Sequence, residues 1–257
     1  MGGALLTGWA KRNLSPLIVV EPSPSNEVKS FARRNRIALF ARVDSIDSLR
    51  ARACIVALKP QILKAEATRL RPIAQSGTLM ISIAAGTNTA TLKKAWGARA
   101  RIIRAMPNTP GAIGRGIAAL YAANGTSAKD KSLAEQLLAA LGETVWVKKE
   151  IQIDAVTAVS ASGPAYVFLL VEALADAAEA EGLPRPLAEK LARATVTGSG
   201  ALLDSDASPP ARLRQNVTSP GGTTEAALKI LMAKAGLSKL LRRAVAAAHA
   251  RARELGS

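Results

Sequence analysis

The chain has 257 residues, 49% of them hydrophobic in type, enough for one large core or two modest ones. Lys and Arg total 35 against 19 Asp and Glu, a formal charge of +16, but the basic residues are scattered over helix-surface positions such as Arg33, Arg34, Lys93, Lys94, Arg242 and Arg243. With aromatic residues at 3% there is no interleaved stacking surface, so a nucleic-acid partner is not expected; a single Cys54 and a single His249 exclude a Cys/His metal site and an intrachain disulfide. The lone thiol sits in an apolar run and fits a reducing cytoplasm. No apolar run approaches the roughly 20 residues a bilayer needs, and the start lacks a signal-peptide pattern, so no membrane partner is expected either. Chemistry must come from backbone, hydroxyls, lysines, carboxylates or a borrowed cofactor.

The chain opens with Met1-Gly2-Gly3-Ala4-Leu5-Leu6-Thr7-Gly8-Trp9, a helix that starts early. In a dinucleotide-binding unit a strand and a glycine-rich turn precede such a helix, whose amides hold the pyrophosphate. Here the strand and the first two glycines of that fingerprint are absent, and Gly2 falls where its last part would stand. Residues 17–20 read as a buried strand ending at Glu21, placed to bind adenosine ribose hydroxyls and so to favour NAD. The next residues include Ser23, whose hydroxyl could instead take a 2′-phosphate, and Glu21 could equally be a solvated strand-end acid. Helix 26–35 follows, capped by Ser25 or Asn26, then strand 37–40.

Strand 53–58 runs into Ala57-Leu58-Lys59-Pro60, where proline stops it and lysine offers an anion contact. Helix 60–75, strand 78–84 ending in Ala85-Gly86-Thr87, helix 89–95, and strand 100–106 ending in Met106-Pro107-Asn108-Thr109-Pro110 continue the alternation. Such alternation implies a parallel sheet covered on both faces, with ligands at the carboxyl ends of its strands. Strands 117–122 and 144–147 flank helix 127–141. Two prolines around Asn108 make a stiff turn that presents polar groups at a fixed place.

Beyond residue 150 only helical patterns appear: 154–181, 186–203, 209–216, 224–235 and 238–255. The nearly uninterrupted apolar segment 165–171 must be covered on most sides, by the domain core or by a second copy. The fold class is thus a Rossmann-type α/β domain over residues 1–150, lacking its first strand, followed by an all-α domain over 151–257. Between two of its helices lies Asn216-Val217-Thr218-Ser219-Pro220-Gly221-Gly222-Thr223-Thr224, in which two glycines, a proline and four hydroxyls fall within seven residues. A tight loop with exposed amides at the positive end of a helix suits a small carboxylate.

These segments, together with Ala161-Ser162-Gly163-Pro164-Ala165-Tyr166, resemble pyrroline-5-carboxylate reductase, and the resemblance covers essentially the whole chain. It implies reduction of 1-pyrroline-5-carboxylate to L-proline by NADPH or NADH, in a cleft between a dinucleotide domain and a helical domain that interlocks with its partner copy. It further implies that the amides of Thr223 and Thr224 hold the carboxylate, with Gly221 and Gly222 shaping the loop. The catalytic assignment is Thr224, its hydroxyl near the ring nitrogen, supported by Ser219 and Asn216. Gly2, Glu21, Ser23, Ala57, Leu58, Lys59, Pro60, Ala85, Gly86, Thr87, Met106, Pro107 and Asn108 would contact the cofactor; no metal is implied. Asp44 stands where the family often has asparagine. The missing strand is expected to leave two unpaired sheet edges, and the natural chain to begin about ten residues earlier, a short strand plus a turn. Alternatives are a two-domain imine or 2-hydroxy-acid reductase, and an inactive homologue that only dimerises.

Overall fold

The computed structural model describes residues 1–46 and 50–256. Packing divides it into two units, Met1–Ala161 joined by the C-terminal residues from His249 onward, and Ser162–Ala248. The first unit therefore runs past residue 150.

Its elements are α1 (Gly2–Lys11), β1 (Ile18–Val20), α2 (Asn26–Arg34), β2 (Ala38–Phe40), β3 (Ala53–Val56), α3 (Pro60–Glu66), α4 (Arg71–Gln75), β4 (Leu79–Ser82), α5 (Thr89–Trp96), β5 (Ile102–Met106), β6 (Gly116–Ala122), α6 (Ala128–Leu138), β7 (Gly142–Trp146) and α7 (Gln152–Val156). Local chemistry sets several boundaries. The Ser25 hydroxyl accepts from the Val28 amide at 3.3 Å to start α2, and Ser127 with Asp130 forms a reciprocal capping box at α6. The expected single helix 60–75 is broken into α3, a 3-10 turn (Ala67–Leu70) and α4. Pro72 cannot donate to a continuous ladder, and the Ala67 carbonyl freed at the break accepts from Trp96 Nε1 at 3.0 Å.

The strands form two sheets, β1-β2 and β3-β4-β5-β6-β7. Among the described residues β1 pairs only with β2, and β3 only with β4, so each has an unpaired edge. Helix α1 packs on both sheets: Leu5 joins Leu79, Ile81, Ile103 and Leu120, Leu6 joins Ala32 and Ile37, and Trp9 touches both groups. Gly8 lets α1 lie close against the turn after α6, because a Cβ there would lie 2.8 Å from the Ala140 carbonyl oxygen. The parallel pattern expected from the strand–helix alternation holds from β3 to β5 and breaks at β6, which runs antiparallel to β5 with Ile103 opposite Ala122. The link between them holds one 3-10 turn (Thr109–Ile113), too short for the dozen or more residues of a parallel crossover. Helix α6 provides such a crossover to β7, which returns parallel to β6.

The second unit holds α8 (Gly163–Ala180), α9 (Arg185–Ser205), α10 (Pro210–Asn216), α11 (Thr223–Leu231) and most of α12 (Leu237–Gly256). The expected helix 154–181 is realised as α7, a π turn (Thr157–Ala161) and α8, with Pro164 at the start of α8. Taken together, Gln152–Ala180 is a 29-residue helical stretch long and apolar enough by length and composition to cross a membrane, which corrects the expectation that no such run exists. Helix α8 lies along α9, and Arg185 bonds Asp176, Glu179 and Glu189 at their junction.

Candidate functional site

Parallel β3, β4 and β5 bring their carboxyl ends, and the loops after them, to one side of their sheet, and β1 runs parallel to β2 in the other sheet. Helix α1 begins there: a Cβ added at Gly2 would lie 3.1 Å from Ala57 Cβ, just past the end of β3. The first turn of α1 has no side-chain cap and no acidic residue, so its amides and positive dipole are open to an anion. Ala57 and Lys59 are exposed, Leu58 and Pro60 half-buried, with Lys59 at the N-cap of α3. Ala85, in the loop after β4, and Met106, at the end of β5, pack in one cluster with Ala119, Ile153 and Val156. Gly86 and Thr87 are half-buried beside Ala85, and Gly86 adopts φ +69°, a left-handed conformation that suits glycine.

Pro107 is buried, and the Asn108 side chain is already committed: its Oδ1 accepts from the Ile117 amide at 3.0 Å and its Nδ2 donates to Ser160 Oγ at 3.3 Å. That turn therefore offers backbone rather than the Asn108 amide group. Glu21 is exposed at the end of β1, and its Oε1 accepts from the Ser23 amide at 3.1 Å, so both residues share one turn. Asp44 is exposed and pairs with Arg42 at 3.0 Å, a surface ion pair. A cleft of about 500 Å³ between α1 and α2, lined by Leu6, Val28 and Phe31 among others, contains none of the assigned cofactor residues. Cys54 is half-buried on β3, and burial pushes its thiol up to about 11, which leaves it unreactive at neutral pH.

In the second unit, Asn216 ends α10, and Ser219, Gly221 and Gly222 form the bend into α11. Gly221 has φ +71°, and the Gly222 amide donates to the Ser219 carbonyl at 3.0 Å, closing a tight turn. Gly222 is the N-cap of α11 and provides no side-chain acceptor, leaving the amides of Thr223 and Thr224 uncapped at the positive helix end. The Gly221 amide is taken by the chain's own Glu225, whose Oε2 accepts it at 2.5 Å; this bond, with Lys229, holds the Glu225 carboxyl below its ordinary range. A ligand carboxylate is thus left with the threonine amides rather than that of Gly221. Asn216, Ser219 and Thr223 are exposed and Thr224 is half-buried.

Two features escaped the sequence reading. Arg104 lies in β5 at 3% exposure, and its Nη1 donates to Glu150 Oε1 at 2.9 Å. An arginine inside the run Ile102-Ile103-Arg104-Ala105-Met106 was the available signal, since a buried charge requires a buried counter-charge. The last turn of α12 also packs on the Ala85–Thr87 loop, with Asn88 Nδ2 donating to the Gly256 carbonyl at 3.3 Å; no local pattern announces this.

An α/β Rossmann-like sheet region followed by an all-helical unit is the two-domain plan of an oxidoreductase. Residues 150–255 match the family model described as pyrroline-5-carboxylate reductase dimerisation. The chain is 42% identical to the pyrroline-5-carboxylate reductase of Pseudomonas aeruginosa over 99% of its own length and 93% of the relative's. Among solved structures it is similar to a pyrroline-5-carboxylate reductase from Coxiella burnetii, with TM-score 0.91 and 35% identity over 100% of this chain and 95% of that one. It is also similar to the pyrroline carboxylate reductase of Plasmodium falciparum with NADP bound, with TM-score 0.84 and 30% identity over 100% and 95%. The chain belongs to the pyrroline-5-carboxylate reductase family.

Proposed function

We propose that the chain reduces 1-pyrroline-5-carboxylate to L-proline with NADPH or NADH, the last step of proline biosynthesis. The observation that carries the reading is the uncapped start of α11, where Thr223 and Thr224 offer amides and hydroxyls to a small carboxylate. When bound, the reduced nicotinamide supplies the hydride. The chain's own part is binding, orientation and protonation. The Thr223 and Thr224 amides grip the carboxylate. The Thr224 hydroxyl hydrogen-bonds the ring nitrogen and keeps the C=N bond polarised, and Ser219 and Asn216 orient the ring. Positioning of this kind provides much of the acceleration.

The open amides of α1, at Gly2 and after it, fit a pyrophosphate, and Lys59 adds a positive charge. Ala57 to Pro60, Ala85 to Thr87 and the backbone of Met106 to Asn108 flank the dinucleotide. Glu21 suits the ribose diol of NADH and Ser23 the 2′-phosphate of NADPH. The exposed apolar residues of α8, including Phe168, Leu169 and Leu170, are covered by a second copy of the chain. We place the protein in the cytoplasm, where the Cys54 thiol stays reduced.

Steady-state oxidation of NADH and of NADPH tests the reading. Turnover with 1-pyrroline-5-carboxylate, and little with bulkier imines or 2-hydroxy acids, is the expected result. Dinucleotide binding without any turnover of 1-pyrroline-5-carboxylate would overturn it.

A further inference from the structure

Glu150 stands at the corner between β7 and α7, and its carboxylate turns back onto α5. Oε1 accepts from the Thr89 amide at 2.6 Å and Oε2 from the Thr89 hydroxyl at 2.6 Å. Arg104 donates to Oε1 at 2.9 Å from inside the sheet. Thr89 begins α5, immediately after the loop that carries Ala85, Gly86 and Thr87, and Arg104 lies on β5, which ends at Met106. One carboxylate therefore ties two of the segments assigned to the dinucleotide. The loop is also backed by α12, where a Cβ on Gly86 would lie 2.7 Å from the Leu255 carbonyl oxygen.

We propose that Glu150 is a positioning residue for the dinucleotide. Through Thr89 it fixes the Ala85–Thr87 loop, and through Arg104 it fixes the end of β5 in the arrangement that receives the cofactor. The proposal rests on the reading that these two segments contact the cofactor. Charge-assisted bonds to a helix's first amide and hydroxyl hold backbone more firmly than neutral ones. Removing the acid takes away the bonds to the Thr89 amide and hydroxyl and strands a buried guanidinium at the same time.

The test compares Glu150→Ala, Glu150→Gln and the double variant Glu150→Ala with Arg104→Met, which removes the stranded charge. Dinucleotide Kd by fluorescence quenching, both KM values, kcat and Tm are measured. Glu150→Ala should raise dinucleotide Kd and KM roughly tenfold or more, with the imino-acid KM within about twofold of wild type. Glu150→Gln should recover part of that loss, since an amide oxygen still accepts from Thr89. The double variant should regain Tm while its dinucleotide Kd stays raised. If Kd returns to the wild-type value along with Tm, Glu150 only stabilises the fold and the proposal fails. Thr87→Glu, which sets a negative charge in the loop itself, separates the two layers of inference. If it weakens the dinucleotide while the Glu150 variants do not, positioning by Glu150 alone is overturned. If it leaves the dinucleotide Kd unchanged, the loop does not contact the cofactor, and both readings fall.

Discussion

Leu79, Met80, Ile81, Ile102 and Ile103 are sealed inside the α/β unit, whereas Phe168, Leu169 and Leu170 of the helical unit face outward at 50–63% exposure. Among the described residues of the helical unit the only buried hydrophobics are Ala175, Ala188 and Ala192, small residues that let α8 and α9 approach each other. The larger aliphatics at Leu187, Leu191, Leu202, Leu203, Leu240 and Leu241 are exposed. Burial of a Leu or Phe side chain is worth about 1.5–3 kcal/mol, so one unit gains that stabilisation from its own chain and the other leaves it available to a further surface. The difference matches the division of work proposed above. In that proposal a dinucleotide is received by backbone at the ends of a self-supporting sheet, and the imino acid by a helical unit completed by a second copy.

Five experiments bear on this contrast, the largest effect first. Substituting Phe168→Glu together with Leu170→Glu sets charges on the outward face of α8 and should raise the dimer dissociation constant on the order of a thousandfold or more. Sedimentation equilibrium reads this directly, and an unchanged association state would remove the second copy from the account. Trp96→Ala empties the site of a fully buried ring and its bond to Ala67, and should cost the α/β unit about 3–5 kcal/mol in denaturant titrations. Its loss should not depend on protein concentration, unlike that of the α8 variant, because the Trp96 core is made by one chain.

Thr224→Val keeps the uncapped amide but removes the hydroxyl. It should lower kcat/KM for the imino acid roughly tenfold to a hundredfold while leaving dinucleotide Kd unchanged. Lys59→Ala should do the reverse, and a mixed effect from either would blur the assignment of one ligand to each unit. The smallest effect is expected at Glu225. Its folded-state pKa is lowered by the Gly221 amide and then by Lys229, so the stabilisation is present above the ordinary glutamate value of about 4.3 and is lost as pH falls through the lower folded value. Acid titration of Tm should flatten in that range for Glu225→Gln.

Most of the elements were legible in the chain because their signals are local. Apolar runs of four to seven residues bounded by turn formers gave the strands, and Ser25 and Ser127 announced their helices by short side chains that accept backbone amides. The bend at Ser219 to Thr224 was legible for the same reason: proline, paired glycines and hydroxyls act on their own backbone. The antiparallel turn of β6 was not read, since strand direction depends on which partner a strand finds rather than on its composition. The break at Pro72 was open to reading from the proline alone, although the segment 60–75 reads as one helix in its overall pattern.

By itself the sequence determined the alternation of strands and helices, the change to an all-helical second half, and the chemistry of each loop, because these follow from side-chain shape, backbone freedom and periodicity over a few residues. Only the tertiary structure decided which loops are held and by what. Glu150 meets Thr89 across 61 positions and Arg104 across 46, and Asn88 meets Gly256 across 168. Contacts at such separations are selected by the packing of the whole unit, which must satisfy every buried charge and amide at once, and no local stretch of residues encodes them.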